Sequence, residues 1–197
     1  VVNLPNHHPA IVAAEIAQFD HMSAGRLLFG IGPGGLPSDS EMFGDLSPAE
    51  RGKRMLEAAT TIQAIWAQDP PYDIPGATWP IKLSRTVSPD YGIGFMPKPF
   101  QRGGPAIHVS ARSAESQGVA VAAKRGWGVI SANFVAHRVI AGHWRSLAKG
   151  MAEAGHVVDG GKWRAARNFV IAETDAEAQA RATAPEGATR YYFDYLG

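Results

Sequence analysis

The alternation of short apolar segments with longer amphipathic segments is the feature that most constrains the fold of this chain. Predicted strands and predicted helices follow one another about five times along the sequence. The strands are short and apolar throughout, which is typical of a parallel sheet covered on both faces. The pattern therefore predicts an α/β protein. Two architectures remain open from the pattern alone: a doubly wound open sheet, or a (β/α)₈ barrel of which about five units are present.

The predicted strands lie at 1–4, 27–31, 106–110, 127–131 and 167–172. Predicted helices lie at 9–22, 48–68, 113–125, 136–154 and 174–183, and one more is expected in the aromatic tail. The helix at 48–68 has the clearest start, because Ser47 and Glu50 match a capping box and Pro48 suits the first helical position. Helical spacing predicts its buried face, which consists of Met55, Ala59, Ile62 and Trp66.

A proline-rich segment, residues 69–104, interrupts this alternation. Within it, residues 79–87 and 92–96 are predicted to pair as a hairpin. Long loops in compact domains often cover a site or form part of one. We therefore interpret the 69–104 segment as a cover over the barrel mouth and not as a separate domain.

Composition excludes several classes of function. The 197 residues carry a formal net charge of +1, which is not the excess of positive charge expected of a protein that binds nucleic acid or an anionic membrane. No apolar run approaches the roughly 20 residues that a membrane span needs. Cysteine is absent, so the chain offers no disulfide, no thiolate metal site and no cysteine nucleophile. A cytoplasmic protein is expected.

The chain opens directly on a strand pattern, with no signal peptide and no initiator methionine. We therefore expect it to be a piece of a longer protein.

A glycine-rich loop follows the second predicted strand, with four glycines between residues 30 and 35. Glycine lets a ligand come close to bare backbone amides, and the carboxyl ends of parallel strands are where α/β proteins place their sites. The loop matches G-x-G-x-x-G, but prolines interrupt it and the next clear helix starts only at Ser47, so a Rossmann dinucleotide site is not favoured. A plain tight turn is the alternative that stays open.

A second candidate site follows the third main strand, at residues 110–116. Free amides and the positive end of a helix dipole bind phosphate, and Arg112 adds a fixed charge. Taken alone, this stretch is more simply a helix start with Ser113 as its cap. Polar or glycine-rich segments nevertheless follow four successive strands, at 7–8, 30–35, 110–116 and 131–133. In a barrel these segments share one face, which favours a site.

Taken together in their order along the sequence, the motifs of the chain resemble those of the bacterial luciferase-like flavin-dependent monooxygenases. They resemble most the branch with limonene and alkanal monooxygenases. The resemblance covers nearly the whole chain and is carried by residues 4–9, 19–26, 29–35, 38–39, 42–44, 98–101, 126–131 and 172–178. It implies a (β/α)₈ TIM barrel of luciferase-like type, incomplete, with about strands 3 to 7 present. Residues 1–197 would then form one partial barrel domain.

The resemblance also implies that FMN lies across the carboxyl-terminal face. The implied cofactor-binding residues are Gly32, Pro33, Gly35, Ala111, Arg112, Ser113, Ser116 and Ser131. The phosphate is expected beside residues 111–116, and the flavin ring beside residues 131–133. Luciferases carry an arginine in the glycine loop where this chain has Pro33, so Arg112 is expected to supply that charge.

No catalytic acid or base is assigned, because the usual histidine of the family would lie upstream of Val1. His8 is the candidate that this chain offers, since it follows a strand on the presumed active face. The spacing of the histidines supports no metal site.

The implied reaction is the oxygenation of a small organic substrate by reduced FMN and O₂. A separate flavin reductase and a homodimer are further implications. Two alternatives remain open: an F420-dependent oxidoreductase of the same fold, and a non-catalytic flavin-binding barrel relative. Because an open barrel has two unpaired strand edges, we expect these 197 residues alone to fold poorly or to be inactive.

Overall fold

The computed structural model describes residues 1–114 and 116–196. Along the chain its elements are β1 (Val2–Asn3), α1 (Pro9–Met22), β2 (Leu28–Gly32), α2 (Pro37–Phe43), α3 (Pro48–Ala67), β3 (Tyr72–Ile74), β4 (Ile81–Leu83), β5 (Ala106–Ala111), α4 (Gln117–Arg125), β6 (Gly128–Ser131), α5 (His137–Glu153), β7 (Trp163–Ala165), α6 (Asp175–Thr183) and α7 (Ala188–Leu196). Short 3₁₀ turns lie at Leu4–Asn6, Pro89–Tyr91 and Gly160–Lys162.

Five parallel strands form the central sheet, in the order β1-β2-β5-β6-β7. Each strand pairs with the next parallel strand along the chain, for example with Val109 opposite Val129. A doubly wound sheet reverses its strand order at a switch point, whereas a barrel adds its strands in sequence. The observed order is that of consecutive barrel strands.

The core lies between this sheet and the helices on its outer face. Phe29, Ile31, Val109 and Val129 are almost completely buried there. All four residues of the predicted α3 face, Met55, Ala59, Ile62 and Trp66, are buried as expected. The capping box of Ser47 and Glu50 is also present, so α3 begins where the sequence predicts.

The predicted hairpin of the 69–104 segment is wrong in its pairing. The antiparallel pair is β3 with β4, whose register places Tyr72 opposite Leu83. Near the predicted pairing there is an isolated bridge, between Ser88, just after the first predicted stretch, and Ile93 in the second. The hairpin forms earlier because the Glu57 carboxylate of α3 accepts hydrogen bonds from the Thr78 and Trp79 amides, at 2.8 and 3.0 Å, and so fixes the turn.

The rest of this segment returns to the amino end of the sheet. The backbone N–H and the side-chain amide of Gln101 both donate to the buried carboxylate of Asp20, each at 2.8 Å. The same side-chain amide donates to the carbonyl of Leu27, just before β2. These contacts lie along α3 and before the amino end of β2, and the predicted cover over the barrel mouth stays a prediction.

The strand predicted at 167–172 is also wrong, because β7 forms earlier, at Trp163–Ala165. Trp163 pairs with Val129 in the ladder, and its ring stacks on Trp144 of α5 with centroids 5.7 Å apart. Phe169 and Ile171, whose apolar character suggested a strand, are 84% and 85% exposed.

Within residues 1–114 and 116–196, no helix is both long and apolar enough to cross a bilayer.

Candidate functional site

The loop after β2 lies against the end of β5, at the carboxyl edge of the sheet. A Cβ on Gly32 would lie 3.0 Å from the Ser110 hydroxyl oxygen, so the two strands approach this closely because residue 32 has no side chain. Gly34 and Gly35 have φ angles of +71° and +129°, which L side chains rarely adopt. The glycines therefore have a structural reason in the turn and in the close approach of neighbouring side chains.

Two guanidinium groups lie against Gly35. An Nη atom of Arg51 and one of Arg112 are 3.4 and 3.6 Å from the position that a Cβ on Gly35 would occupy. Arg51 extends from the first turn of α3, and Arg112 follows β5. Neighbouring cations repel each other unless an anion lies between them, so this arrangement favours binding of an anion. The sequence pattern points to Arg112 but not to Arg51.

A cavity of about 700 Å³ opens beside these groups. This volume is within the range of small-molecule sites, ~300–1,000 Å³. It lies between the glycine loop, the start of α3, the end of β5 and the start of α4. Five of the residues that line it follow β2 or lie between the end of β5 and the start of α4: Pro33, Ser110, Arg112, Ser113 and Ser116.

The start of α4 contributes the positive end of a helix to this cavity. Ser116 occupies the N-cap position and, among the described residues, its hydroxyl makes no capping hydrogen bond. Amides at a helix start, together with a serine hydroxyl, are suited to phosphate oxygens. The predicted Ala111 differs, because its side chain is buried on the helix-covered face and its carbonyl accepts the Ala132 N–H at 3.0 Å.

Ser131, which the resemblance places beside the cofactor, does not line this cavity. Its side chain is fully buried on the face of β6 that the helices cover. The hydroxyl oxygen lies 2.9 Å from Nδ1 of His143 and accepts the indole N–H of Trp163 at 3.0 Å. The hydroxyl is therefore engaged with α5 and β7, away from the cavity.

The loop after β6, residues 132–136, is fixed by the residues that follow β7. Arg167 donates from one Nη atom to the carbonyls of Asn133 and Val135, at 3.1 and 2.8 Å. The Asn133 side chain donates to the Asn168 side chain and accepts the Tyr192 hydroxyl. The role of Arg167 in this loop could not be predicted from its sequence pattern, which indicated a strand.

The histidines do not join the cavity. His8 is exposed and caps α1, where its Nδ1 accepts the Ala10 N–H at 3.3 Å. His108 is buried inside the sheet, and this burial lowers its pKa. Its Nδ1 lies 3.3 Å from the Ala106 carbonyl, and its Nε2 has no partner in the described part of the chain. The described residues also contain no group of three or more potential metal ligands.

The family model of luciferase-like monooxygenases matches residues 1–195. Limonene 1,2-monooxygenase from Rhodococcus erythropolis is 33% identical over 199 residues, an alignment that covers 100% of this chain and 47% of that protein. Nearly the whole chain aligns with these curated relatives, and it spans about half of their length.

Solved structures show the same likeness. The oxygenating constituent of 3,6-diketocamphane monooxygenase from Pseudomonas putida is a type II Baeyer–Villiger monooxygenase in complex with FMN. It superposes with a TM-score of 0.79 at 26% identity and covers 97% of this chain and 52% of its own. An F420-dependent secondary alcohol dehydrogenase superposes with a TM-score of 0.62 at 21% identity, over 83% of this chain and 45% of its own, a likeness of fold alone.

These likenesses confirm the predicted luciferase-like (β/α)₈ barrel, of which the five strands are consecutive members. The family match extends over nearly every residue, and a relative above 30% identity aligns with the whole chain. The chain belongs to the luciferase-like monooxygenase family.

Proposed function

We propose that the full-length protein containing this chain is a flavin-dependent monooxygenase that uses reduced FMN and O₂ to oxygenate a small organic substrate. Family membership and the FMN complex of the diketocamphane relative support the proposal. The observation that carries it is the convergence of Arg51 and Arg112 on Gly35, beside the start of α4.

The residues present fit the phosphate of FMN. Two guanidinium groups would neutralise the phosphate charge and donate paired hydrogen bonds. The Ser116 hydroxyl and the first amides of α4 would donate to its remaining oxygens. Pro33 would pass beside the cofactor, because it lines the cavity, and Gly32 precedes it directly at the end of β2.

When bound, reduced FMN supplies the electrons that activate O₂. The residues of this chain bind and orient the cofactor, and the apolar Pro33 and Val121 in the cavity wall help to exclude water. His8 lies apart from the cavity, so we assign cofactor binding rather than proton transfer to this chain.

Partners and location follow from the same proposal. The diketocamphane relative is described as the oxygenating constituent of its enzyme, which supports a separate flavin reductase here. The relatives named for limonene and diketocamphane support a compact terpenoid-like substrate. A homodimer in the cytoplasm completes the proposal.

The test is an anaerobic titration of the full-length protein with reduced FMN and, in parallel, with reduced F420. We expect tight binding of reduced FMN that Arg112→Ala and Ser116→Ala weaken. Under ¹⁸O₂, with limonene and camphor as probe substrates, we expect the label in an organic product. Preferential binding of reduced F420 would assign the protein to the F420-dependent oxidoreductases. Binding of FMN without oxygen transfer to any of a panel of terpenoids would favour the non-catalytic relative.

A further inference from the structure

A buried chain of hydrogen bonds connects β7 and α5 to the loop after β5. The Trp163 indole N–H donates to the Ser131 hydroxyl at 3.0 Å, and that hydroxyl lies 2.9 Å from Nδ1 of His143. The Nε2 atom of His143 lies 2.7 Å from the carbonyl oxygen of Ser113. Ser131 and His143 are both fully buried.

The chemistry of the groups sets the direction of these bonds. A carbonyl oxygen only accepts, so Nε2 of His143 carries a proton and donates to Ser113. In the tautomer that has its proton on Nε2, Nδ1 accepts from the Ser131 hydroxyl, whose oxygen accepts from Trp163. Each polar atom in the chain is satisfied, and such buried networks fix one conformation because an unpaired member is costly.

This network of hydrogen bonds ends at Ser113, in the segment that has to be ordered to bind a ligand. Arg112 and Ser113 are themselves exposed, yet the Ser113 carbonyl is bonded to a buried side chain of α5. Arg112 precedes this anchored carbonyl directly, and Ser116 follows it at the start of α4. Fixing Ser113 therefore limits the directions available to the guanidinium and to the first amides of the helix.

We propose that His143 is a positioning residue for the cofactor phosphate, which orders the loop that bears Arg112 and Ser116 before the cofactor binds. The inference rests on the proposed function. Preorganisation raises affinity because the loop does not have to be ordered at the expense of binding energy. His143 contacts neither the cavity nor the reacting atoms in this arrangement, so its effect acts through Ser113.

The chain offers a control at the other end of α4. His156 makes a bond between the same kinds of atoms, Nε2 and the carbonyl oxygen of Lys124, at 3.1 Å, although His156 is exposed and His143 is buried. Lys124 belongs to the last turn of α4, away from the phosphate loop. Replacing His156 thus removes a histidine-to-carbonyl bond from α4 and leaves the bond between His143 and Ser113 in place.

The experiment compares the full-length protein with its His143→Leu, His143→Gln and His156→Leu variants. Dissociation constants are measured anaerobically for reduced FMN and for reduced riboflavin, which lacks the phosphate. We expect His143→Leu to weaken FMN binding about 10-fold, as for loss of a buried hydrogen bond, and to leave riboflavin binding unchanged. His143→Gln, whose amide N–H can donate to Ser113, should recover most of the FMN affinity. His156→Leu should match the wild type.

Amide hydrogen exchange of the cofactor-free proteins gives a second readout. We expect His143→Leu to accelerate exchange over residues 112–118, and Ser131→Ala to do so to a smaller extent. Ser131→Ala also serves as the milder variant if His143→Leu fails to fold.

Two results would overturn the inference while leaving the proposed function intact. One is a wild type that prefers FMN to riboflavin and a His143→Leu variant that keeps this preference. The other is an equal loss of affinity for both flavins, which would mean a general loss of structure. A wild type that binds reduced FMN no better than reduced riboflavin would instead refute the proposed phosphate site, and the inference with it.

Discussion

At the scale of single residues, Arg51 and Arg54 of α3 carry the same side chain and differ in what surrounds them. The guanidinium groups of Arg51 and Arg112 both lie against Gly35. We predict that Arg51→Met weakens binding of reduced FMN by roughly 10- to 100-fold, the size expected for a lost hydrogen bond to a charged group. Arg54→Met removes the same charge one turn away and should change FMN affinity little.

The measurement is again the ratio of FMN to riboflavin affinity in the full-length protein, which isolates the phosphate. Equal losses in the two arginine variants would show that only the overall positive charge of α3 matters.

The candidate site could be predicted in part from single residues. Arg112 and Ser116 lie between a strand and a helix start, but this local feature alone indicates only a helix cap. They became candidates through the recurrence of polar segments after successive strands and through the family resemblance. Arg51 was missed because Arg51, Lys53 and Arg54 together are typical of a solvated helix face, and only the fold brings Gly35 beside the first of them. Ser131 was named from the family resemblance, and its contacts with His143 and Trp163 could not be predicted, because both faces of a barrel strand are buried and alternation does not tell them apart.

At the scale of elements, α4 and α5 pack closely, and two glycines of α5 test this packing. A Cβ on Gly150 would lie 2.7 Å from the Cβ of Ala123 on α4, whereas a Cβ on Gly142 would meet nothing within 4 Å. We predict that Gly150→Ala destabilises the protein by about 1–3 kcal/mol through overpacking. Gly142→Ala should stabilise it by about 1 kcal/mol, because alanine is the better helix former.

Denaturant unfolding of the full-length protein measures both effects, and the opposite signs make each variant the control for the other. Stabilisation by Gly150→Ala would mean that α4 and α5 are farther apart than described.

The Glu57 carboxylate accepts two backbone amides in the turn of the β3–β4 hairpin. Burial raises the pKa of Glu57, but the hydrogen bonds from the Trp79 and Thr78 amides outweigh it, and the net pKa is lowered. A group with a lowered pKa in the folded state contributes stability above its unfolded pKa, and this stability is lost as the pH falls through the folded value. We therefore predict that the Thr78 and Trp79 amides lose protection as the pH falls from about 6 to about 3.

Hydrogen exchange, corrected for intrinsic rates, checks this prediction. Glu57→Gln should lower protection at neutral pH and remove the dependence on pH at these amides. Asp73→Asn is the control, because the Asp73–Lys82 ion pair of the same hairpin is 77% and 73% exposed and should contribute little. Unchanged protection in Glu57→Gln would contradict the role of the carboxylate.

Elements with local signals were predicted well, and elements fixed by distant partners were not. The capping box and the apolar stripe of α3 depend only on residues close together in the sequence. The hairpin pairing depends on Glu57, which precedes Thr78 by 21 residues. The place of β7 depends on Trp163 packing against Trp144 and Ser131. The exposed Phe169 and Ile171 offered a stronger local strand signal than the true strand, Trp163–Ala165, and so gave the wrong answer.

At the scale of the whole molecule, the sheet has two edge strands, β1 and β7, within the part of the chain that the structure describes. A luciferase-like barrel has eight strands, and in a closed barrel each edge pairs with a neighbour. Edge strands with free backbone groups promote aggregation. Large apolar side chains near the β7 edge add to this tendency, among them Phe169 and Ile171.

We therefore predict that residues 1–197, produced alone, unfold over a broad range and bind reduced FMN far more weakly than the full-length protein. The cavity walls described above come from β2, β5, α3 and α4, all within this chain, so a weak affinity would reflect the stability of the walls and not their absence. Calorimetry and anaerobic titration on both proteins make the comparison, with Arg51→Met as the control for specific binding. A sharp cooperative transition with stoichiometric FMN binding would contradict the prediction, and would mean that five strands and their helices suffice for a stable cofactor site.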